Sequence, residues 1–132
     1  LAMLDHHVSA DPIDAIGPVS TGEGVLDARS VIKGVYLHPS LKAYVIEILD
    51  RTRSDARLML GASPRSGLQW ARAAKARAAM LGRDYVIPED IAALAVPVLA
   101  HRLIMANQRS DRRATSDVVT DIVSRVPLPR RD

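Results

Sequence analysis

With 132 residues, 48% of them apolar and 25% charged, the chain has the composition of one folded domain, which excludes general disorder and two comfortable domains. It has no cysteine, so disulfides and thiolate metal sites are excluded, and no window reaches the roughly 18 uncharged apolar residues of a membrane span. The formal charge of +3 is modest, and its basic residues gather in RAAKAR, RSDRR and PRRD, runs that read as solvated faces or tails before they read as a nucleic-acid patch.

The first residues, LAMLDHHVSADP, have neither a basic start nor a long apolar run, and a cytoplasmic location is expected. Residues 5 to 23 carry Pro12, Gly17, Pro18 and Gly22 without sustained periodicity, which is linker composition. From Glu23 to Lys33, Val25, Leu26, Ala28, Val31 and Ile32 recur at three-to-four spacing and predict a helix ending near Gly34. An extended VYLHP follows. Pro39 and Ser40 open a stronger helix to about Arg53, with Leu41, Tyr44, Val45, Ile48 and Leu49 as its buried stripe.

Residues 54 to 62 read as a turn, and a third helix starts at Ser63 and Pro64. It runs to a left-handed stop at Gly82, and its six alanines between Ala71 and Ala79 allow close helix packing. The connector RDYVIPED leaves room for a minor pairing of Tyr85 and Val86 with Val35 and Tyr36. A fourth helix begins at Pro88 with Glu89 and Asp90 in its first turn, and Ile91, Leu94, Val98, Leu99 and Leu103 are its expected core face. Pro97 is expected to break or kink it near Val96. After the polar loop NQRSDRRATS, Thr115 or Ser116 caps a last short helix with Val118, Val119, Ile122 and Val123 inward. With only one Trp, three Tyr and no Phe, the core is built from Leu, Ile, Val and Ala. The expected fold class is all-α, a small helical bundle with at most a minor two-stranded pairing.

The chemistry legible from motifs is mostly negative. No glycine precedes a lysine in the frame of a phosphate-binding loop. Glu47 falls inside an amphipathic helix and lacks a strand context for magnesium. His6 and His7 are adjacent and diverge on a helix, while His38 and His101 stand alone, so no metal site is expected. Asp84, Glu89 and Asp90 read as helix-start residues rather than an acid and base pair, and Ser63 and Ser66 lack the context of a nucleophile.

One residue breaks a local rule. Arg65 stands in the first turn of the third helix, where the positive end of the helix dipole favours Asp or Glu and a cation costs roughly 0.3 to 1 kcal/mol. An ordinary solvated arginine is one reading. The other is an anion site, in which free N–H groups at the helix start and a forked guanidinium together read a phosphate. Such a contact reaches roughly 4 kcal/mol, about the energy of millimolar binding, so another domain has to supply the main pocket.

The stretch GASPRSGLQWARAAKARAAMLGRDYVIPEDIAALAVPVLAHRL, residues 61 to 103, closely resembles the C-terminal lid subdomain of MoxR-type AAA+ ATPases. The likeness extends back through VYLHPSLKAYVIEILDRTR and forward to VSRVPLP, over roughly residues 20 to 130, and residues 1 to 8 look like the end of the nucleotide-binding core. The resemblance implies that 1–20 are the end of that core and a linker, 21–107 the helical lid, and 108–132 a loop and helix completing it. It further implies that Arg65 is the sensor 2 arginine, the one side chain taking part in catalysis, and that Gly61, Ser63, Pro64 and Arg65 form the lid's share of the nucleotide site. ATP and magnesium are then held mainly by the core of the same polypeptide. The resemblance implies a parent that is a homo-oligomeric ring, a hexamer, acting as a chaperone-like remodeller or cofactor-insertion factor, alongside von Willebrand factor A domain proteins, without nucleic acid or membrane.

Two departures stand out. The position before Pro88 is usually a capping threonine and here is Ile87; the phosphate loop and acidic core residues are not in these 132 residues, so the chain by itself is expected to be catalytically silent. No role is legible for His101 or Arg102. Two rival readings come from other classes: a small basic DNA-binding domain using Arg72, Lys75, Arg77 and Arg83, or a protein-interaction module presenting exposed parts of Trp70 and the RSDRR loop.

Overall fold

Three of the helices open on proline, whose missing N–H costs nothing at a position where the amide has no helical partner and whose fixed φ already suits the helix. The computed structural model describes residues 16–107 and 112–129. Among them the elements are α1 (Gly22–Gly34), α2 (Pro39–Ser54), strand β1 (Leu58–Leu60), α3 (Pro64–Met80), α4 (Pro88–Leu99) with a 3-10 turn at Ala100–Arg102, strand β2 (Ile104–Met105) and α5 (Arg112–Arg125). The all-α expectation holds. The chain divides into two compact units, one ending at Ser30 and the other starting at Val31.

α1 starts where Thr21 caps it, its Oγ1 accepting the Gly24 N–H at 3.1 Å. None of its residues is buried, and its apolar Val25, Leu26 and Val31 are exposed.

In the second unit the core lies among α2, α3, α4 and α5, with α3 packed along α4, α4 on α5, and α2 against both α3 and α5. All five residues of the expected α2 stripe are buried, and Thr52 extends it. On α3 the buried positions are Ser66, Trp70, Ala74 and Ala78, four residues apart, so one ridge of the helix faces inward. Ile91, Ala95 and Leu99 repeat the same spacing on α4. Small alanines let the two backbones approach, and the Trp70 indole, fully buried, donates its Nε1–H to the Ile91 carbonyl at 3.0 Å.

α3 ends as its sequence predicts. Gly82 takes φ +72°, its N–H reaches the Ala79 carbonyl at 3.0 Å and the Arg83 N–H reaches the Ala78 carbonyl at 2.9 Å, which satisfies the last carbonyls of the helix. The anticipated pairing is present as a single parallel bridge, Tyr36 with Tyr85, held by Tyr36 N–H to Asp84 O at 2.7 Å and Val86 N–H to Tyr36 O at 2.9 Å.

Three expectations need correcting. Of the break or kink expected at Pro97, the break does not occur: the helix runs on to Leu99 and only then tightens into the 3-10 turn, since a proline removes one hydrogen bond and packing on α3 and α5 holds the rest. α5 begins at Arg112, so Thr115 and Ser116 lie within it rather than capping it, and Thr115 is buried. Residues 58–60 are not a turn but a strand, paired antiparallel with 104–105 through Leu58 opposite Met105 and Leu60 opposite Ile104. Arg57 clamps this region, reaching Asp55 at 2.6 Å and Asp121 of α5 at 2.7 Å.

His38 does not stand idle. Its Nδ1 accepts the Ser40 N–H at 3.2 Å and lies 2.7 Å from the Ser40 hydroxyl, capping α2. Replacing His38 with Ala is expected to lower the unfolding free energy by about 1 kcal/mol, the usual worth of an N-cap, in a urea titration.

Candidate functional site

The start of α3 is positioned by what precedes it. Ser63 is the N-cap residue with φ −79° and ψ 157°, Pro64 is N1 and Arg65 is N2. The Ser63 hydroxyl does not cap the helix: it lies 3.3 Å from the Ser66 hydroxyl, and the Ser66 N–H bonds the Ser63 carbonyl instead, at 2.9 Å. The serine therefore sets the backbone but leaves the dipole's positive end without a side-chain acceptor. No acidic residue stands in this first turn, whereas α4 places Glu89 and Asp90 in its own. The Arg65 N–H, second in the helix, has no carbonyl four residues back within it.

Arg65 is exposed, and among the described residues no carboxylate pairs with it. With Val45, Leu49, Leu68 and Ala71 it lines an open groove of about 690 Å³ between α2 and α3. Lys42 and Arg53 also line it, and among the described residues no acidic side chain does. Arg53 pairs with Asp50 one turn back on α2. A phosphate at this tip would meet a guanidinium, a helix-end amide and the positive end of the dipole. The residues present thus fit a phosphorylated ligand.

Gly61 serves close approach and not a left-handed conformation, since among the described residues only Gly82 has positive φ. A Cβ at Gly61 would sit 2.6 Å from the Thr52 carbonyl oxygen and 2.6 Å from the Arg53 Cα, so glycine is required for close approach to the last turn of α2.

At the other end of α3 is a group that sequence reasoning undervalued. Asp90 is a first-turn residue of α4, as expected, but it is also 1% exposed and forked by Arg83, with Nη1 to Oδ2 at 2.7 Å and Nη2 to Oδ1 at 2.8 Å. Arg77 stands 3.3 Å away, and the Ile87 N–H donates to Oδ2 at 3.0 Å. That last bond offsets the missing capping threonine: Ile87 accepts nothing through its side chain, yet its own amide is satisfied. Burial pushes the Asp90 carboxyl up, but the hydrogen bonds from Arg83 and Ile87 and the charges of Arg83 and Arg77 outweigh it and hold the acid below its ordinary value.

The same contacts draw on the basic face of the DNA-binding alternative: of Arg72, Lys75, Arg77 and Arg83, Arg83 and Arg77 pair with Asp90 and Lys75 donates to the Lys33 carbonyl at 3.1 Å. The interaction-module alternative loses Trp70, which is buried, not exposed, because its ring fills the α3–α4 interface; Arg109 to Asp111 of its loop lie outside the described residues, as do His6 and His7. Among the described residues no helix is long and apolar enough to cross a membrane.

Comparison with known proteins is consistent with this geometry. The model of the AAA lid domain family matches residues 50–122. The chain is 32% identical over 130 residues to the uncharacterized protein YeaC of Bacillus subtilis, covering 98% of this chain and 41% of that protein. It is 30% identical over 135 residues to the chaperone MoxR1 of Mycobacterium tuberculosis, covering 95% of this chain and 36% of that one. In three dimensions it is similar to the crystal structure of a predicted ATPase from Cytophaga hutchinsonii, with a TM-score of 0.74 at 33% identity over 82% of this chain and 36% of that one. The chain therefore spans 36% to 41% of the length of these proteins.

Proposed function

The chain belongs to the AAA lid domain family, in its MoxR-type branch, and from that premise we propose that it closes over ATP held by a nucleotide-binding core of the same polypeptide. Arg65 is the sensor 2 residue and contacts the γ-phosphate. Ser63 and Pro64 set the backbone that aims it, and Gly61 lets the incoming strand lie against α2. In this reading residues 1–20 finish the core and linker, 21–107 form the lid, and 108–132 complete it. Bound ATP with magnesium supplies a phosphoanhydride for hydrolysis to ADP and phosphate. The lid contributes binding and orientation to that reaction, within a hexameric ring in the cytoplasm that remodels proteins or inserts cofactors together with von Willebrand factor A domain partners.

The observation that carries this reading is the uncompensated cationic tip: a helix start with no acidic residue, an unused capping hydroxyl and an exposed arginine without a carboxylate partner among the described residues. In the full-length ATPase, Arg65→Ala is expected to weaken ATP binding about tenfold to a hundredfold, the worth of one charged hydrogen bond. ADP, which lacks the γ-phosphate, should bind as before, and the melting temperature should not move. Equal loss of ATP and ADP affinity, or no loss of either, would show that Arg65 does not read the phosphate.

A further inference from the structure

The entrance to α3 is held from behind by a buried hydroxyl. Thr52, near the end of α2, is 1% exposed, and its Oγ1 uses both of its capacities: it donates to the Leu49 carbonyl at 2.7 Å and accepts the Ala62 N–H at 2.9 Å. Its position continues the apolar stripe of Leu41, Tyr44, Val45, Ile48 and Leu49, where a valine would fill the same space. Packing alone gives no reason for the oxygen. What the oxygen adds is a fixed attachment for the backbone amide three residues before Arg65.

The neighbouring residue works in the same direction. Because Gly61 has no side chain, its backbone lies against that of Thr52 and Arg53 closely enough that a Cβ at this position would collide with it. The first turn of α3 is therefore registered on the last turn of α2 by one hydrogen bond and one forced close contact, rather than by its own cap, which the Ser63 hydroxyl does not provide. α2 is itself tied onward, since Arg57 just beyond it reaches Asp121 of α5.

We propose that Thr52 is a positioning residue for Arg65, its hydroxyl fixing the Ala62 amide so that the guanidinium is held where a nucleotide phosphate meets it. This rests on the reading of Arg65 as the phosphate contact. Thr52 touches no ligand itself and acts only through the backbone it anchors. A displacement of the order of 1 Å in a positioned group is enough to cost roughly a hundredfold at worst, so the loss of a single anchor is expected to register.

The test uses Thr52→Val, which keeps the shape and removes the hydroxyl, and Thr52→Ser, which keeps the hydroxyl, each with and without Arg65→Ala in the full-length ATPase. Hydrogen exchange at the Ala62 amide and the ratio of ATP to ADP affinity are read for all of them. Thr52→Val is expected to speed exchange at Ala62 and to lower the affinity ratio about tenfold, with Thr52→Ser close to the unsubstituted protein. In the Arg65→Ala background the valine is expected to change the ratio no further. If Thr52→Val does not fold, Thr52→Ala carries the same contrast. A valine or alanine variant that frees the Ala62 amide but keeps the full affinity ratio overturns the proposal, as does one whose loss adds to that of Arg65→Ala. A silent Arg65→Ala overturns the reading beneath it, and the two failures are thereby told apart.

Discussion

Trp70→Ala is expected to lower the unfolding free energy by about 3–5 kcal/mol, the range for deleting a large buried aromatic and leaving a cavity. The indole is completely closed off within the core, where its Nε1–H ties α3 to the Ile91 carbonyl of α4. Since domains of this size are stable by only about 5–15 kcal/mol, the variant should be largely unfolded well below the melting temperature of the parent. Far-UV circular dichroism during urea titration reads it without relying on tryptophan fluorescence. Trp70→Phe separates ring from polar handle: it keeps most of the apolar surface but abandons the Ile91 carbonyl, and about 1–3 kcal/mol should be lost. If alanine costs no more than phenylalanine, the ring is not what joins the two helices.

The second large effect is expected at Asp90. Removing one member of a buried ion pair ordinarily costs about 3–5 kcal/mol. Here Arg83 keeps 21% of its side chain exposed and Arg77 keeps 43%, so the abandoned guanidinium groups can turn toward water, and Asp90→Ala should cost about 2–3 kcal/mol. The carboxylate is enclosed by its own arginines rather than sunk in the apolar core. Its loss should loosen the end of α3, the connector through Tyr85 and the start of α4 together, which amide exchange at Ile87 and Arg83 can follow.

The pH dependence follows from the direction of the shifts. Asp90 and Asp121 are held below the ordinary carboxylate value of 3.8, and Asp55 is brought to about 2, chiefly by its hydrogen bonds with Arg57. Asp121 is lowered by hydrogen bonding from Arg57 and by the charges of Arg125 and Arg57. A depressed acid stabilises the folded chain fully at pH above its unfolded value and loses that contribution as pH falls through the folded one. Stability should therefore be insensitive to these groups above about pH 5 and should decline from about pH 4 toward pH 2. Asp90→Ala should show a shallower decline than the parent over that interval. A parallel pair of curves would mean that Asp90 titrates alike in the folded and unfolded chains.

What could be read from the residues themselves was whatever is decided within about one helical turn. The α2 stripe, the left-handed glycine after α3, the proline starts and the acidic first turn of α4 depend on neighbours three or four positions away, and they stand as expected. The anomaly at Arg65 was legible for the same reason: a local preference is broken there, and the break can be seen without knowing the fold. The pairing of Tyr36 with Tyr85 was the exception, an extended segment matched to another across 49 positions of chain, legible because each was bounded by helix stops.

Other features had no local signature. Leu58 and Leu60 become a strand only because Met105 and Ile104 are brought alongside. Thr52 lies between Arg51 and Arg53 with nothing local to single it out, and only its burial beside the stripe, together with the arrival of Ala62, turns its hydroxyl into an anchor. Asp90 was read correctly as a helix-start acid, but its enclosure depends on two arginines from α3 and the connector. Sequence by itself determined where most of the helices run, the inward face of α2 and the one cation out of place, because those follow from backbone periodicity and the dipole of a single element. Tertiary structure alone decided which polar groups are buried and which arginines are paired with carboxylates. Burial and ion pairing are properties of what the rest of the chain folds against a residue, and no short stretch carries that information.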